Sequence, residues 1–258
     1  MNIKDSSTQL LYTTIPLWVQ GKTQIRGGTA FIANGQNPSH PDLTVPLLIT
    51  AAHVVDNGNS IVAEFHLTDG QTGLPETSIK IQLPPNLFVY DEALDIAVML
   101  LGPVLNELLS QGRRVFYRGV DKSLVPTPDM WNEFAAIEDV TLIGYPSSLY
   151  DIRHGLPVVR RGITATPVWN DFNGKPTFLI DAAVFPGSSG SPVFLFNQGS
   201  YPTENGIGLG TRLFFLGILT GSMISNTTKE LLGLGSVVKS SALFEQLLDK
   251  IIADVNIH

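Results

Sequence analysis

The stretch DAAVFPGSSGSP, residues 181–192, sets Ser188 and Ser189 between Gly187 and Gly190, directly after an apolar run, and closes on Pro192. A plain surface loop can have this composition. So can a nucleophile held on a tight turn at the end of a buried strand. The two readings separate only when a base and a carboxylate are sought elsewhere in the chain.

There are five histidines. His40 lies in the polar loop NPSHPD, His66 in the middle of the strand-like AEFHL, His154 in YDIRHG, and His258 is the last residue. His53 differs: the apolar segment LLITAA runs straight into it, so a buried strand delivers it to a turn of small residues. Asp95 opens a second apolar run, DIAVMLL. Taken singly, His53 also reads as a packing residue and Asp95 as a turn residue. Their order is His53, Asp95, Ser189, with separations of 42 and 94 residues. The first two fall in one β-rich half and the serine in the other, so a site built from all three would lie in a cleft between the halves.

The β-rich halves come from the strand signals. LLYTTIPLWV, GGTAFIAN, VPLLITAAHVV, SIVAEFHLTD, SIKIQL and DIAVMLLG are β-branched or aromatic segments separated by Gly, Pro, Asn and Asp, and they predict six strands up to residue 102. Residues 103–137 read as a connector of short helices and loops. VTLIGYP, LPVVRRGITATPVW, KPTFLIDAAVF, GSPVFLF, RLFFLGILTGSMI and LGSVVKSS predict six more strands over 138–239. Leu243, Phe244, Leu247, Leu248, Ile251, Ile252 and Val255 recur at helical spacing, with Ser241 as candidate N-cap, and predict a helix over 240–258.

In these residues the chain resembles the chymotrypsin-fold serine peptidases. TAAH (50–53) is similar to that family's histidine motif, DIAV (95–98) to its aspartate motif and GSSGSP (187–192) to its serine motif. The full run DAAVFPGSSGSP, with GYP (144–146) and RRGITAT (160–166), looks most like bacterial HtrA-type trypsin-like domains, and the resemblance covers roughly residues 20–240. It implies an all-β fold of two six-stranded antiparallel barrels with the site between them and a C-terminal helix.

The resemblance also implies roles. Ser189 is the nucleophile, His53 its base and Asp95 the carboxylate that orients the imidazole. The N–H groups of Gly187 and Ser189 form the oxyanion hole. LTGS (219–222) resembles the strand that pairs with a bound peptide, so Thr220, Gly221 and Ser222 would line the cleft, and Ala183 falls at the floor of the specificity pocket. The chain departs from the family at Ser188, where zymogen-activated members carry an aspartate, and at Ser191, where glycine is usual. The first departure implies no activation by N-terminal cleavage; the second is a small change of little consequence. With Ala183 at the floor and Asp181 a full strand repeat away, the pocket is expected to favour small or medium apolar residues over Lys or Arg.

Other templates fit worse. An α/β-hydrolase elbow reads G-x-S-x-G and has its histidine after the serine, whereas here Ser191 occupies the second glycine position and only His258 follows. A subtilisin order needs the aspartate first. Neither H-E-x-x-H nor a P-loop motif occurs.

Composition agrees. At 258 residues, 43% hydrophobic and 15% charged, the chain can bury a large core. Its net charge of −7 argues against a nucleic-acid footprint, and the cluster Arg113, Arg114, Arg118, Lys122 reads as a solvated face. There is no cysteine, which excludes disulfides, a thiol nucleophile and cysteine-ligated zinc. No apolar run of about 18 residues offers a membrane span. The N-terminus lacks a secretory pattern, so a cytoplasmic location is expected, with export by another route left open.

The expectation is therefore a serine endopeptidase acting on protein or peptide through an acyl-enzyme, without metal or organic cofactor. The alternative is a protease-like binding or effector module that stays inactive until a regulatory partner binds.

Overall fold

The computed structural model describes residues 4–37, 40–203, 206–224, 227–228 and 230–253. The chain opens on a one-turn helix, α1 (Ser6–Leu10), capped by Asp5, whose carboxylate accepts the Thr8 N–H at 3.1 Å. The Thr13 hydroxyl then donates to the Leu10 carbonyl at 2.8 Å. These bonds hold the first part of LLYTTIPLWV in helical turns, so the strand begins only at Thr14.

The first half is a sheet of nine strands. Its main path uses β1 (Thr14–Gln20), β2 (Ile25–Asn37), β3 (His40–Ala51), β4 (Ser60–Thr68), β5 (Pro75–Leu83), β6 (Phe88–Asp91) and β7 (Ile96–Leu100), in the spatial order β5-β4-β1-β2-β3-β7-β6. Two-residue strands join at the sides: β8 (Val115–Phe116) on β4 and β9 (Val120–Asp121) parallel to β2. This corrects the expected six strands. The path also does not return on itself, because consecutive β5 and β6 do not pair. Pro84 and Pro85 between them lack N–H donors, and Pro85 starts a single 3-10 turn (Pro85–Leu87). A one-turn helix, α2 (Ala52–Val55), follows β3. The connector carries α3 (Gly102–Ser110) and α4 (Pro128–Glu133).

The second half is a closed six-stranded barrel. It consists of β10 (Asp139–Gly144), β11 (Val158–Thr164), β12 (Thr177–Asp181), β13 (Pro192–Asn197), β16 (Arg212–Ile224) and β17 (Leu231–Lys239), ordered β10-β11-β12-β17-β16-β13. A separate hairpin, β14 (Ser200–Thr203) and β15 (Gly206–Leu209), lies between β13 and β16 in the chain. The terminal segment is a π-helical turn, Ala242–Leu248, continuing into α5 (Asp249–Ala253). Ser241 makes no capping bond and has helical dihedrals, contrary to its expected role. Ala242, Leu243, Phe244, Leu247 and Leu248 are all buried, so packing on several sides overrides a single amphipathic stripe. Val255, His258 and the His40 side chain lie outside the described residues.

Alternation places the core. On β4, Ile61, Ala63 and Phe65 are buried while Val62, Glu64 and His66 are only half-buried. One apolar cluster crosses between the halves: Phe31 and Ile49 pack with Phe194, Phe215 and Phe244. The Phe215 ring lies 5.3 Å from Phe31, 5.6 Å from Phe194 and 6.2 Å from Phe244. This shared core fixes the two halves against each other. Among the described residues no helix is long and apolar enough to cross a membrane.

Candidate active site

β3 ends at Ala51 and the chain turns at once into α2, so His53 stands at the mouth of the interior. Three bonds tie this turn to Asp95. The Ala52 N–H donates to the Asp95 carbonyl at 2.9 Å, the His53 N–H donates to Asp95 Oδ1 at 3.0 Å, and His53 Nδ1 meets Asp95 Oδ2 at 2.7 Å. Asp95 itself has φ +55°, a left-handed conformation that Asp tolerates better than most residues. That backbone turns its carboxylate back onto the histidine. In the neutral ring, with Nδ1–H donated to the carboxylate, Nε2 is the nitrogen that carries the lone pair.

The serine turn is equally determined. Gly187 and Gly190 have φ of +88° and +89°. A side chain at Gly190 would collide with the Thr29 carbonyl, and one at Gly187 would crowd the Tyr145 carbonyl and the Ser147 N–H. The Ser188 N–H donates to the Phe185 carbonyl at 2.9 Å, and the Ser188 hydroxyl accepts the Phe185 N–H at 3.4 Å. The Ser191 N–H returns to the Ser188 carbonyl at 3.0 Å and the Gly190 N–H reaches the Leu219 carbonyl at 2.7 Å. Ser188 is thus buried and engaged within the turn. Among the described residues, the N–H groups of Gly187 and Ser189 have no acceptor. Both residues line one cleft with His53, of about 360 Å3.

Thr29, fully buried on β2, staples the turn to the first half. Its N–H donates to the Ser189 carbonyl at 3.0 Å. Its hydroxyl donates to the Gly187 carbonyl at 2.9 Å and accepts the Tyr145 N–H at 3.0 Å. Ser191, where the resembled family has glycine, fits because the facing residue is Gly144: a side chain there would collide with the Ser191 hydroxyl. Ser147 and Ser148, which also line the cleft, have φ of +51° and +57°. They are held by bonds from the Ser147 N–H to the Pro186 carbonyl (2.6 Å) and from the Ser148 N–H to the Tyr145 carbonyl (3.1 Å). Strained backbone of this kind clusters at functional sites. The Tyr145 hydroxyl is buried, which pushes its pKa well up, and it donates to the Thr14 carbonyl at 3.3 Å.

The structure therefore brings His53, Asp95, Gly187 and Ser189 together. No hydrogen bond joins the Ser189 hydroxyl to the His53 ring among the described residues; such contacts often tighten only with substrate. Ala183, Thr220, Gly221 and Ser222 do not line this cleft. Ala183 is exposed, and its carbonyl accepts Arg160 Nη1 at 3.0 Å. Thr220 is buried next to Leu219, which bonds the serine turn, while Ser222 is exposed opposite Gly235. His66 sits on β4 and His154 in a loop, paired to Asp151 at 2.7 Å. Sequence reasoning passed over Thr29, Ser147 and Ser148. Thr29 follows Gly27 and Gly28, and that small-residue approach was its one available signal.

Comparisons with known proteins bear on the family and the fold. Residues 28–201 match the family described as Trypsin-like peptidase domain. No curated protein is similar enough to match. Among solved structures, the chain is similar to the HtrA-type protease AlgW with tripeptide, at 16% identity and TM-score 0.55, covering 98% of this chain and 64% of that one. It is also similar to the serine endoprotease from Yersinia pestis, at 17% identity and TM-score 0.52, covering 98% and 68%. At these identities the likeness concerns the fold alone.

Proposed function

The chain belongs to the trypsin-like peptidase domain family and is a serine endopeptidase by that membership; we propose that it cuts peptide bonds through Ser189, His53 and Asp95. Ser189 Oγ attacks the scissile carbonyl while His53 Nε2 takes its proton. The tetrahedral oxyanion is held by the Gly187 and Ser189 N–H groups. Collapse breaks the C–N bond, His53 returns the proton to the leaving amine, and an acyl-Ser189 ester remains. Water, deprotonated by His53, then releases the acid. Asp95 fixes the imidazole tautomer and stabilises the imidazolium.

The observation that carries this reading is the pair of acceptor-free N–H groups at Gly187 and Ser189, on the same cleft as a histidine clamped by a carboxylate. Where such unengaged donors meet a developing charge, they commonly supply the largest catalytic contribution. They also favour a formed site over a dormant binding module. The nine-stranded sheet is, in this reading, the counterpart of the family's first barrel, residues 103–137 the connector and 138–239 the second barrel. Substrates are proteins or peptides with a small or medium apolar residue before the cut, whose acyl side would run past Ala183, Thr220, Gly221 and Ser222, outside the His53–Ser189 cleft. A cytoplasmic location belongs to the same proposal.

The test is labelling of the purified protein with a fluorophosphonate, combined with digestion of a peptide library read by mass spectrometry. Label on Ser189 and cleavage after small apolar residues support the reading. No label and no cleavage by the full chain would overturn it.

A further inference from the structure

The cleft that holds His53 and Ser189 continues to the start of β2, where Gln24, Ile25 and Arg26 line it. A second hollow of about 300 Å3 adjoins it and shares Gln24 and Arg26, with Lys22 on its wall. Among the described residues no carboxylate lines either hollow, in a chain whose net charge is −7.

Arg26 is the centre of this basic end. Its Nη2 donates to the Asp56 carbonyl at 2.6 Å, and its Nε is shut away from solvent without an acceptor. Among the described residues no carboxylate stands within ion-pair distance of it. Of the neighbouring acids, Asp56 takes the Asn57 side-chain amide at 2.5 Å and forms no ion pair with Arg26, and Asp95 holds His53. A guanidinium is permanently charged and offers five donors in a planar fork that suits a carboxylate. Here one donor meets a carbonyl and none meets a charge.

Position gives the substrate residue. The Thr29 N–H binds the Ser189 carbonyl, so Arg26 lies three residues back along β2 from the serine, about 10 Å at ~3.3 Å per residue. An extended peptide covers that span in three residues. Thr220, Gly221 and Ser222, where the acyl side of a substrate would run, do not line this cleft, which leaves it for the side released as amine.

Resting on the endopeptidase reading above, we propose that Arg26, aided by Lys22, is a subsite for a carboxylate carried two or three residues beyond the scissile bond on its C-terminal side. The carboxylate is that of an acidic side chain or of the peptide's own C-terminus.

Matched fluorescent peptides test this, with Glu or Gln at the second and third positions after the cut, and a further pair that ends there as free acid or amide. The expected result is kcat/KM about tenfold higher for Glu than for Gln, the size of a charge-assisted hydrogen bond, expressed mainly in KM and shrinking with added salt. Arg26→Met should bring the ratio close to one, and Arg26→Lys should retain part of it. A larger ratio for acid over amide than for Glu over Gln assigns the site to a chain terminus. Equal kcat/KM within both pairs overturns the subsite. If no peptide is cut and Ser189 is not labelled, the endopeptidase reading falls, and titration of the Ser189→Ala chain with the same peptides decides the subsite alone. There, about tenfold tighter binding of the carboxylate member of either pair supports it, and equal binding within both overturns it.

Discussion

The Thr29 hydroxyl donates to the Gly187 carbonyl at 2.9 Å, across a sequence separation of 158 residues. One buried hydroxyl on the first sheet thereby orients the peptide unit next to a proposed oxyanion donor on the other half. The same oxygen accepts the Tyr145 N–H, so it anchors two segments of the cleft at once.

Thr29→Val keeps shape and removes the hydroxyl. It leaves a buried N–H and a carbonyl unpaired, and should cost roughly 1–3 kcal/mol in chemical denaturation. If Gly187 then tilts, kcat should fall by about tenfold or more with little change in KM, because the hole serves the transition state rather than the bound substrate. Thr29→Ser should restore most of both. A Thr29→Val protein with unchanged kcat would show that the staple does not set the hole.

The two serines of the turn should separate cleanly. Ser189→Ala should abolish cleavage and fluorophosphonate labelling while leaving the melting temperature nearly unchanged. Ser188→Ala loses only a long hydrogen bond to Phe185, so it should cost about 1 kcal/mol and keep substantial activity. Loss of labelling in Ser188→Ala with retention in Ser189→Ala would reverse the assignment.

Asp95→Asn is the informative change at the carboxylate, because Asn also accepts the left-handed backbone that Asp95 adopts at φ +55°. The fold should survive. The amide, however, favours the wrong imidazole tautomer, and kcat should fall on the order of 10⁴-fold, as expected for a triad. His53→Ala should be comparably damaging, and His154→Ala, whose ring pairs with Asp151 away from the cleft, should not. Near-normal kcat in Asp95→Asn would remove Asp95 from the mechanism.

His66 predicts a pH effect on stability rather than on chemistry. It packs edge-on against Tyr12 at 5.1 Å, and burial lowers its pKa from the ordinary 6.5, against partly opposing effects of Glu64 and the Gly155 carbonyl. The unfolded chain therefore binds a proton that the folded chain resists. Stability is fully present above about pH 6.5 and declines as pH falls from there through the depressed folded value. His66→Gln removes the titration. Melting temperatures of the two proteins should diverge between pH 7 and 5, with the wild type falling more; carboxylates common to both cancel in the difference. Parallel curves would contradict the assignment.

What could be read from the chain divides along physical lines. The six strands of the closed barrel all fall within β-branched or aromatic segments bounded by turn residues, even β11 with Arg160 and Arg161, and each is legible in the sequence. β6 in the first half and β8 and β9 in the expected connector span two to four residues, too short for alternation to register, so the sequence signals only six of the sheet's nine strands. At the candidate site, His53, Asp95 and Ser189 were legible because each stands at a strand–turn junction within a recognisable motif. Thr29 and Arg26 were not. Thr29 acts through a hydrogen bond to a segment distant in the chain, and Arg26 through a missing counter-charge, neither of which leaves a local pattern. The terminal segment was read as a regular helix because its spacing is helical, but burial on several sides converts its first part to a π turn.

The bond from the Gly190 N–H to the Leu219 carbonyl, together with the Thr29 staple, has a consequence for synthesis. His53 and Asp95 leave the ribosome long before Ser189, and Ser189 before the strand that completes its turn. β17, which closes the barrel, comes later still. A nascent or truncated chain that stops short of β17 therefore carries Ser189 without the closed frame that holds its turn. The frame around Ser189 is complete only when the barrel closes.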